Sequence, residues 1–149
     1  MAFRRLILVA IALVSSLFLH TASACSCVAG RGLCDFYEDA SVVVQGTVLS
    51  RADGAIFNDY ATYTINSSTT YKVEPDVVYA QVISFVTGGN SATCGVTLTI
   101  GLEYLFPLFR ISNPFEPEVD GDLSANLCSP PQVWSSVDQT ELNGCCCCC

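Results

Sequence analysis

Alternating apolar and hydroxyl residues recur in the middle of the chain and predict a mainly β protein. Residues 61–65 read ATYTI and residues 96–100 read VTLTI, so that every second side chain is apolar, as is typical of half-buried strands. Three further runs rich in β-branched and aromatic residues are predicted as strands, at residues 42–49, 79–86 and 102–109. Five or so short strands in a chain of this length favour a small closed or nearly closed barrel.

Helical signals lie only at the two ends of this β-rich region. Residues 34–40 are predicted to form a short helix that leads into the first strand. Near the C terminus, residues 135–138 (SSVD) resemble a helix start, and Gly144 resembles a helix stop. Residues 113–122 are acidic and contain two prolines, which predicts an exposed loop.

The first 24 residues have the pattern of a targeting segment. Arg4 and Arg5 precede an apolar run over residues 6–18, and residues 22–24 (ASA) are the small residues of a cleavage site. We therefore expect a signal peptide at residues 1–24, a mature domain at residues 25–149, and secretion to the extracellular space. A bacterial lipoprotein signal also ends before a cysteine, but it normally has an aliphatic residue at the position of Ala22. Nothing later in the chain approaches the roughly 20 continuous apolar residues of a membrane span.

Cleavage after residue 24 changes both the charge and the chemistry of the chain. Of the six Lys and Arg, Arg4 and Arg5 are lost, and the remaining four against 14 Asp and Glu give a formal charge near −10. Nucleic acid is not an expected partner, because phosphate binding needs clustered basic residues. The only histidine, His20, also leaves. We therefore expect no enzymatic activity and no cofactor of the protein's own.

The ten cysteines all follow the expected cleavage site and predict a disulfide framework made in an oxidising compartment. They are Cys25, Cys27, Cys34, Cys94 and Cys128, then the unbroken run at residues 145–149. One member of the run can close a bridge, whereas adjacent cysteines pair only with strained geometry. The run could instead bind soft metal ions or link chains. Asn66 begins an Asn-Ser-Ser glycosylation acceptor, which is consistent with export.

The segment Cys25-Ser26-Cys27 at the expected new amino terminus carries the candidate function. In an extended chain the two cysteines project to one side and Ser26 to the other. If both cysteines bridge to the domain, with Cys94 and Cys128 as available partners, Ser26 must face outward. The terminal amine and the carbonyl oxygen of one residue can together occupy the open position of a protease zinc. The alternative is that the two cysteines are only part of a disulfide scaffold.

Over nearly the whole mature chain, the sequence resembles the N-terminal netrin-like domain of the tissue inhibitors of metalloproteinases. The resemblance is carried by the amino-terminal Cys-x-Cys together with the internal motif SATCGV at residues 91–96. Further matching positions are Cys34, residues 40–46 (ASVVVQG), 71–73 (YKV), 120–121 (DG), 127–128 (LC) and 134–136 (WSS).

This resemblance implies both a fold and a set of bridges. The implied fold is a mainly β, OB-fold-like five-stranded β barrel with flanking short helices, stapled by disulfides. The implied bridges are Cys25–Cys94, Cys27–Cys128, and Cys34 to one member of the terminal run, with Cys145 as the candidate.

For function, the resemblance implies a secreted inhibitor of matrix metalloproteases. The amine and carbonyl of mature Cys25 would chelate the zinc of the target protease, and Ser26 would point into the specificity pocket beside it. The residues of the implied protease-contact ridge are Ser26, Cys27, Val28, Ala92, Thr93 and Cys94. Three departures from the family are Ala29, where proline is frequent, a short loop between the first strands, which would reduce accessory contacts, and the absence of the usual cysteine pattern of a C-terminal subdomain.

Two other hypotheses remain open. A netrin-like module could bind extracellular matrix or another secreted protein without inhibiting a protease, because a fold does not define a function. A processed, unblocked Cys25 favours inhibition, whereas an extended or acylated terminus favours the binding module. An enzyme is the weakest hypothesis, because the hydroxyls of Ser26 and Thr93 lack a histidine to activate them.

Overall fold

Five strands close into a barrel in the computed structural model, which describes residues 25–27, 30–54, 60–78, 80–90, 93–111 and 123–146. The barrel strands are β1 (Val42–Asp53), β2 (Tyr60–Val73), β3 (Val82–Gly88), β4 (Glu103–Arg110) and β5 (Leu123–Ser124). The remaining elements are a short strand β6 (Gln132–Val133), a 3-10 turn (Trp134–Ser136), and the helices α1 (Leu33–Asp39) and α2 (Gln139–Cys146).

The barrel closes on β1, which pairs antiparallel with both β2 and β4. From β2 the order continues through β3 and β5 to β4. Every pairing around the ring is antiparallel except that between β3 and β5, which is parallel. This is the strand order of an OB fold, so the expected OB-fold-like five-stranded barrel is confirmed.

The barrel interior is filled by aromatic and branched side chains from alternate positions of the strands. The rings of Tyr63, Phe85 and Phe106 follow one another across it, with centroids 5.8 and 5.6 Å apart. Such ring pairs each add about 0.5–1.5 kcal/mol to the stabilisation from burial. Residues 61–65 therefore alternate between apolar and hydroxyl side chains because one face of β2 lines this core.

A second apolar layer covers the outside of β1 and β4. Here α1 and α2 pack against the strands, and the buried members of the layer are Tyr37, Ala40, Val43, Leu105, Val137, Leu142 and Cys145. Residues 42–44 and 104–108 are consequently buried on both faces. This explains why they are continuous apolar runs rather than alternating ones.

The predicted strand at residues 96–100 is wrong, although its alternation is real. Val96 and Leu98 are buried, but the segment forms no ladder with any described strand. Three of its backbone N–H groups donate to side-chain hydroxyls instead: Val96 to Thr87, Leu98 to Tyr63, and Thr99 to Tyr104, at 3.0, 3.1 and 3.1 Å. The fifth strand is β5, which the sequence analysis did not predict.

The first hairpin is longer than predicted. β1 continues to Asp53 and β2 runs from Tyr60 to Val73, whereas the predicted strands were residues 42–49 and 61–65. The two strands pair along their whole length, with shifts of register at three places. These extensions are largely polar and their pairing shifts register, so they lack the alternation of apolar and polar residues that would have predicted a strand. β3 begins at Val82 rather than at residue 79.

Both predicted helices are present, but one predicted boundary is wrong. α1 lies within one residue of the prediction, and Asp138 caps α2 by accepting bonds from the N–H groups of Thr140 and Glu141 at 2.8 and 3.2 Å. Gly144 does not stop α2, which continues to Cys146. The continuation keeps Cys145 on the buried side of the helix. No helix in the described ranges is long and apolar enough to cross a membrane.

Two predicted segments lie wholly outside the described residues. These are the signal peptide at residues 1–24 and the exposed loop at residues 113–122.

Replacing Tyr63 with phenylalanine should destabilise the barrel. Tyr63 is fully buried and its hydroxyl accepts the N–H of Leu98, so the variant leaves a buried donor unpaired at a cost of about 1–3 kcal/mol. The measurement is the free energy of unfolding in urea. Tyr60→Phe is the matched control, because Tyr60 is 60% exposed and should change stability by no more than about 0.5 kcal/mol. Equal midpoints for both variants would contradict the role of the hydroxyl.

Candidate functional site

Disulfides hold the amino-terminal segment to one end of the barrel. The three bridges are Cys25–Cys94, Cys27–Cys128 and Cys34–Cys145, with Cα–Cα distances of 5.5, 5.1 and 5.0 Å. These are the pairs that the family resemblance implies, and Cys145 is the member of the terminal run that closes the third. Both cysteines that flank Ser26 are therefore bonded to the body of the domain, whereas the third bridge joins α1 to α2.

The partner of Cys25 lies in a tight loop after β3. The carbonyl of Asn90 accepts bonds from the N–H groups of Thr93 and Gly95 at 3.2 and 2.9 Å, and its side-chain oxygen accepts a second bond from Thr93 at 3.1 Å. Cys94 has a φ of 60°, a left-handed conformation that non-glycine residues seldom adopt. The loop hydrogen bonds and the bridge together hold Cys94 in this conformation.

Two glycines let the backbone of this loop touch the end of β3. A Cβ on Gly95 would lie 1.8 Å from the carbonyl oxygen of Gly88, and a Cβ on Gly88 would lie 2.2 Å from that of Thr93. Neither position can accept a side chain unless the two backbones separate. Gly95, the glycine of the SATCGV motif, is therefore required at its position because any side chain there would overlap the backbone of Gly88.

The partner of Cys27 lies in a second loop, after β5. The side-chain oxygen of Asn126 accepts bonds from the N–H groups of Cys128 and Ser129 at 2.9 and 3.1 Å. The N–H of Leu127 donates to the carbonyl of Cys94 at 2.9 Å. The two loops that receive the amino-terminal bridges are thus hydrogen-bonded to each other.

Four of the six predicted ridge residues are brought together at this end of the barrel with Cys25, the predicted zinc-chelating residue. Cys25, Ser26 and Cys27 lie in one stretch, and Thr93 and Cys94 lie beside them across the first bridge. Ser26 and Thr93 are exposed, and Cys25 is partly buried. The other two predicted ridge residues, Val28 and Ala92, lie outside the described residues, as does Ala29.

Leu127 belongs to this site but was not predicted as a contact residue. It is 41% exposed although it sits on a loop held by hydrogen bonds on both sides. The only sequence signal for Leu127 is its position beside Cys128, and this indicates proximity to the site only once the Cys27–Cys128 bridge is known.

Arg51 also adjoins this site and was not predicted from the sequence. It lies near the end of β1, where it donates to the carbonyl of Gly89 at 3.4 Å and to the carboxylate of Asp53 at 2.8 Å. The hydrogen bond to Asp53 is the main cause that raises the pKa of Arg51 above its ordinary value. The ion pair of Arg51 with Asp53 therefore lies next to the loop that carries Cys94.

Within the described part of the chain, no group of three or more His, Cys, Asp or Glu side chains is placed to hold a metal ion. A scan against protein-family models found no matching family, and a search of curated proteins found no match. The likeness to the tissue inhibitors of metalloproteinases therefore rests on the motifs quoted from the sequence.

Replacing Gly95 with alanine should disrupt the site. The new Cβ would overlap the carbonyl of Gly88, so we expect a loss of about 1–3 kcal/mol in the free energy of unfolding and incomplete formation of Cys25–Cys94. The measurements are urea denaturation and non-reducing peptide mapping. Gly144→Ala is the control, because a Cβ there meets nothing within 4 Å and alanine favours a helix. A Gly95→Ala protein as stable and as completely bridged as the wild type would contradict the steric argument.

Proposed function

We propose that the protein is a secreted inhibitor of zinc metalloproteases of the matrix metalloprotease type and that it binds them through mature Cys25. The observation that supports this most directly is that two disulfide bonds hold residues 25–27 to the domain. Cys25 and Cys27 are each bonded to a separate loop, and Ser26 between them is exposed.

The proposed chemistry uses the terminal nitrogen and the carbonyl oxygen of Cys25. The catalytic zinc of a protease keeps one coordination position for water. The two Cys25 atoms belong to one residue and can close a five-membered chelate ring on that zinc, which displaces the water. The pKa of an α-amino group lies close to physiological pH, so the neutral, zinc-binding form is accessible.

Rigidity of the segment supports the proposal energetically. Immobilising a flexible side chain on binding costs about 0.5–1.5 kcal/mol, and the bridges impose this cost on folding rather than on association. Ser26 would enter the specificity pocket beside the zinc, and Thr93 would contact the protease next to Cys94. Leu127 and Arg51 would lie at the margin of the contact.

Blocking the terminal amine of Cys25 should weaken inhibition strongly. An alanine added before Cys25 turns the nitrogen into an amide, which is a poor ligand, and acetylation does the same with less bulk. We expect inhibition to weaken by about two orders of magnitude or more, equivalent to about 3 kcal/mol. The measurement is the inhibition constant against a panel of matrix metalloproteases, with far-UV circular dichroism to verify an unchanged fold.

The control for acetylation uses the fact that Lys72 is the only lysine of the chain. In a Lys72→Arg variant the terminal amine is the only primary amine, so the reagent modifies one site. Arginine keeps the positive charge of Lys72, whose Nζ donates to the backbone carbonyls of Tyr37 and Glu38. If native, extended and acetylated forms inhibit equally, chelation by Cys25 is wrong and the binding-module hypothesis replaces it.

Substitutions of Ser26 should change selectivity without changing the bridges. Ser26→Gly removes the side chain that enters the pocket and Ser26→Arg overfills it, so we expect changes of about tenfold or more in the inhibition constant, or about 1.4 kcal/mol. The changes should differ between proteases with different pockets. Ser135→Arg is the matched control, because Ser135 is an exposed serine in the turn before α2. Equal inhibition by all variants across the panel would show that residues 25–27 are not the contact.

A further inference from the structure

Among the described residues, the central part of the outer face of β1, β2 and β3 forms a wall of uncharged side chains; Lys72, on the same face of β2, lies outside it and donates to the backbone of α1. The side chains of the wall alternate with buried ones and face away from the core, and neighbours across the strands share the face. The wall residues are Gln45, Thr47, Thr62, Thr64, Asn66, Val82, Ser84 and Val86. A protein with a large excess of acidic residues would be expected to place some of them on such a face.

Asn66 lies in the middle of this wall. It pairs across the sheet with Thr47 on one side and Val82 on the other, and it is exposed between the buried residues Ile65 and Ser67. Val82 is 54% exposed. Asn66 also begins the only Asn-x-Ser/Thr sequence of the chain. An acceptor amide therefore projects directly beside an exposed apolar side chain, and the carboxylate of Glu103, which accepts a bond from Ser68 at 3.2 Å, borders the wall.

We infer that this wall is covered by an N-linked oligosaccharide carried on Asn66. In the attachment step, Nδ2 of Asn66 forms a bond to the anomeric carbon of a lipid-linked oligosaccharide diphosphate. The bond from that carbon to the diphosphate oxygen breaks, the lipid diphosphate leaves, and the amide loses one proton. A glycan is bulky and solubilising, so it shields the exposed side chain of Val82 and hydrates this part of the sheet.

The attachment point is remote from the amino-terminal site. Val82 and Gly88 are the two ends of β3, and six residues of strand at about 3.3 Å per residue place them about 20 Å apart. Asn66 is paired with the first of these and the site adjoins the second. The glycan and the proposed protease contact therefore occupy different ends of β3. The inference rests on export, which the proposed function also requires, but not on protease inhibition.

The first test is occupancy in the full chain expressed through a eukaryotic secretory pathway. Wild type and Ser68→Thr should carry one glycan that peptide N-glycosidase releases, leaving aspartate at position 66. Asn66→Gln and Ser68→Ala should carry none, and Ser68→Ala keeps the Asn66 side chain if the first variant folds poorly. Peptide mass spectrometry measures this. Secreted wild type with unmodified Asn66 would overturn the inference.

The second test asks whether the glycan covers the wall. Hydroxyl-radical labelling of Val82 should be several-fold lower in the glycosylated protein than after enzymatic removal of the glycan. Leu127 is the matched control, because it is an exposed apolar residue at the amino-terminal site and should label equally in both. Equal labelling of Val82 would overturn the covering role. Inhibition constants measured on the same samples separate the proposals: glycosylated protein that does not inhibit contradicts only the proposed function.

Discussion

Two disulfides, Cys25–Cys94 and Cys27–Cys128, hold a segment that has no other regular structure. Residues 25–27 belong to no strand or helix of the described chain, and ordering a backbone residue costs about 1–2 kcal/mol. The bridges span 69 and 101 residues. In the chain-entropy model, closing loops of that length in the unfolded state stabilises the fold by between about 4 and 5 kcal/mol each. This is enough to keep the short segment fixed on the barrel.

The barrel makes this double attachment possible through one unusual pairing. β3 and β5 are neighbours and run parallel, so the loops that follow them leave from the same end. Cys94 is on the first loop and Cys128 on the second, and neighbouring strands lie about 4.8 Å apart. Two residues of extended chain span about 6.6 Å. A Cys-x-Cys segment therefore has the right length to reach both loops at once, with its middle residue outward.

Sequence patterns predicted the strands well wherever one face is buried and the other is not. They failed at residues 96–100, which alternate because Val96 and Leu98 fill the core. The backbone N–H groups of this segment donate to the side-chain hydroxyls of Thr87, Tyr63 and Tyr104 and not to a neighbouring strand. β5 has two residues, which is too few to show any period. The extension of β1 was invisible for a related reason, since residues 50–53 are exposed on both faces.

The sequence by itself determined the β class, the two helices, and the cysteines and Ser26 at the candidate site, because periodicity and cysteine spacing are local properties of the chain. Only the tertiary structure decided which cysteine of the terminal run bonds Cys34, since that depends on the helical face that α2 buries. It also decided that Leu127 and Arg51 adjoin the site. Their proximity comes from loops brought together by strand order, and contacts between residues distant in sequence leave no pattern along the chain.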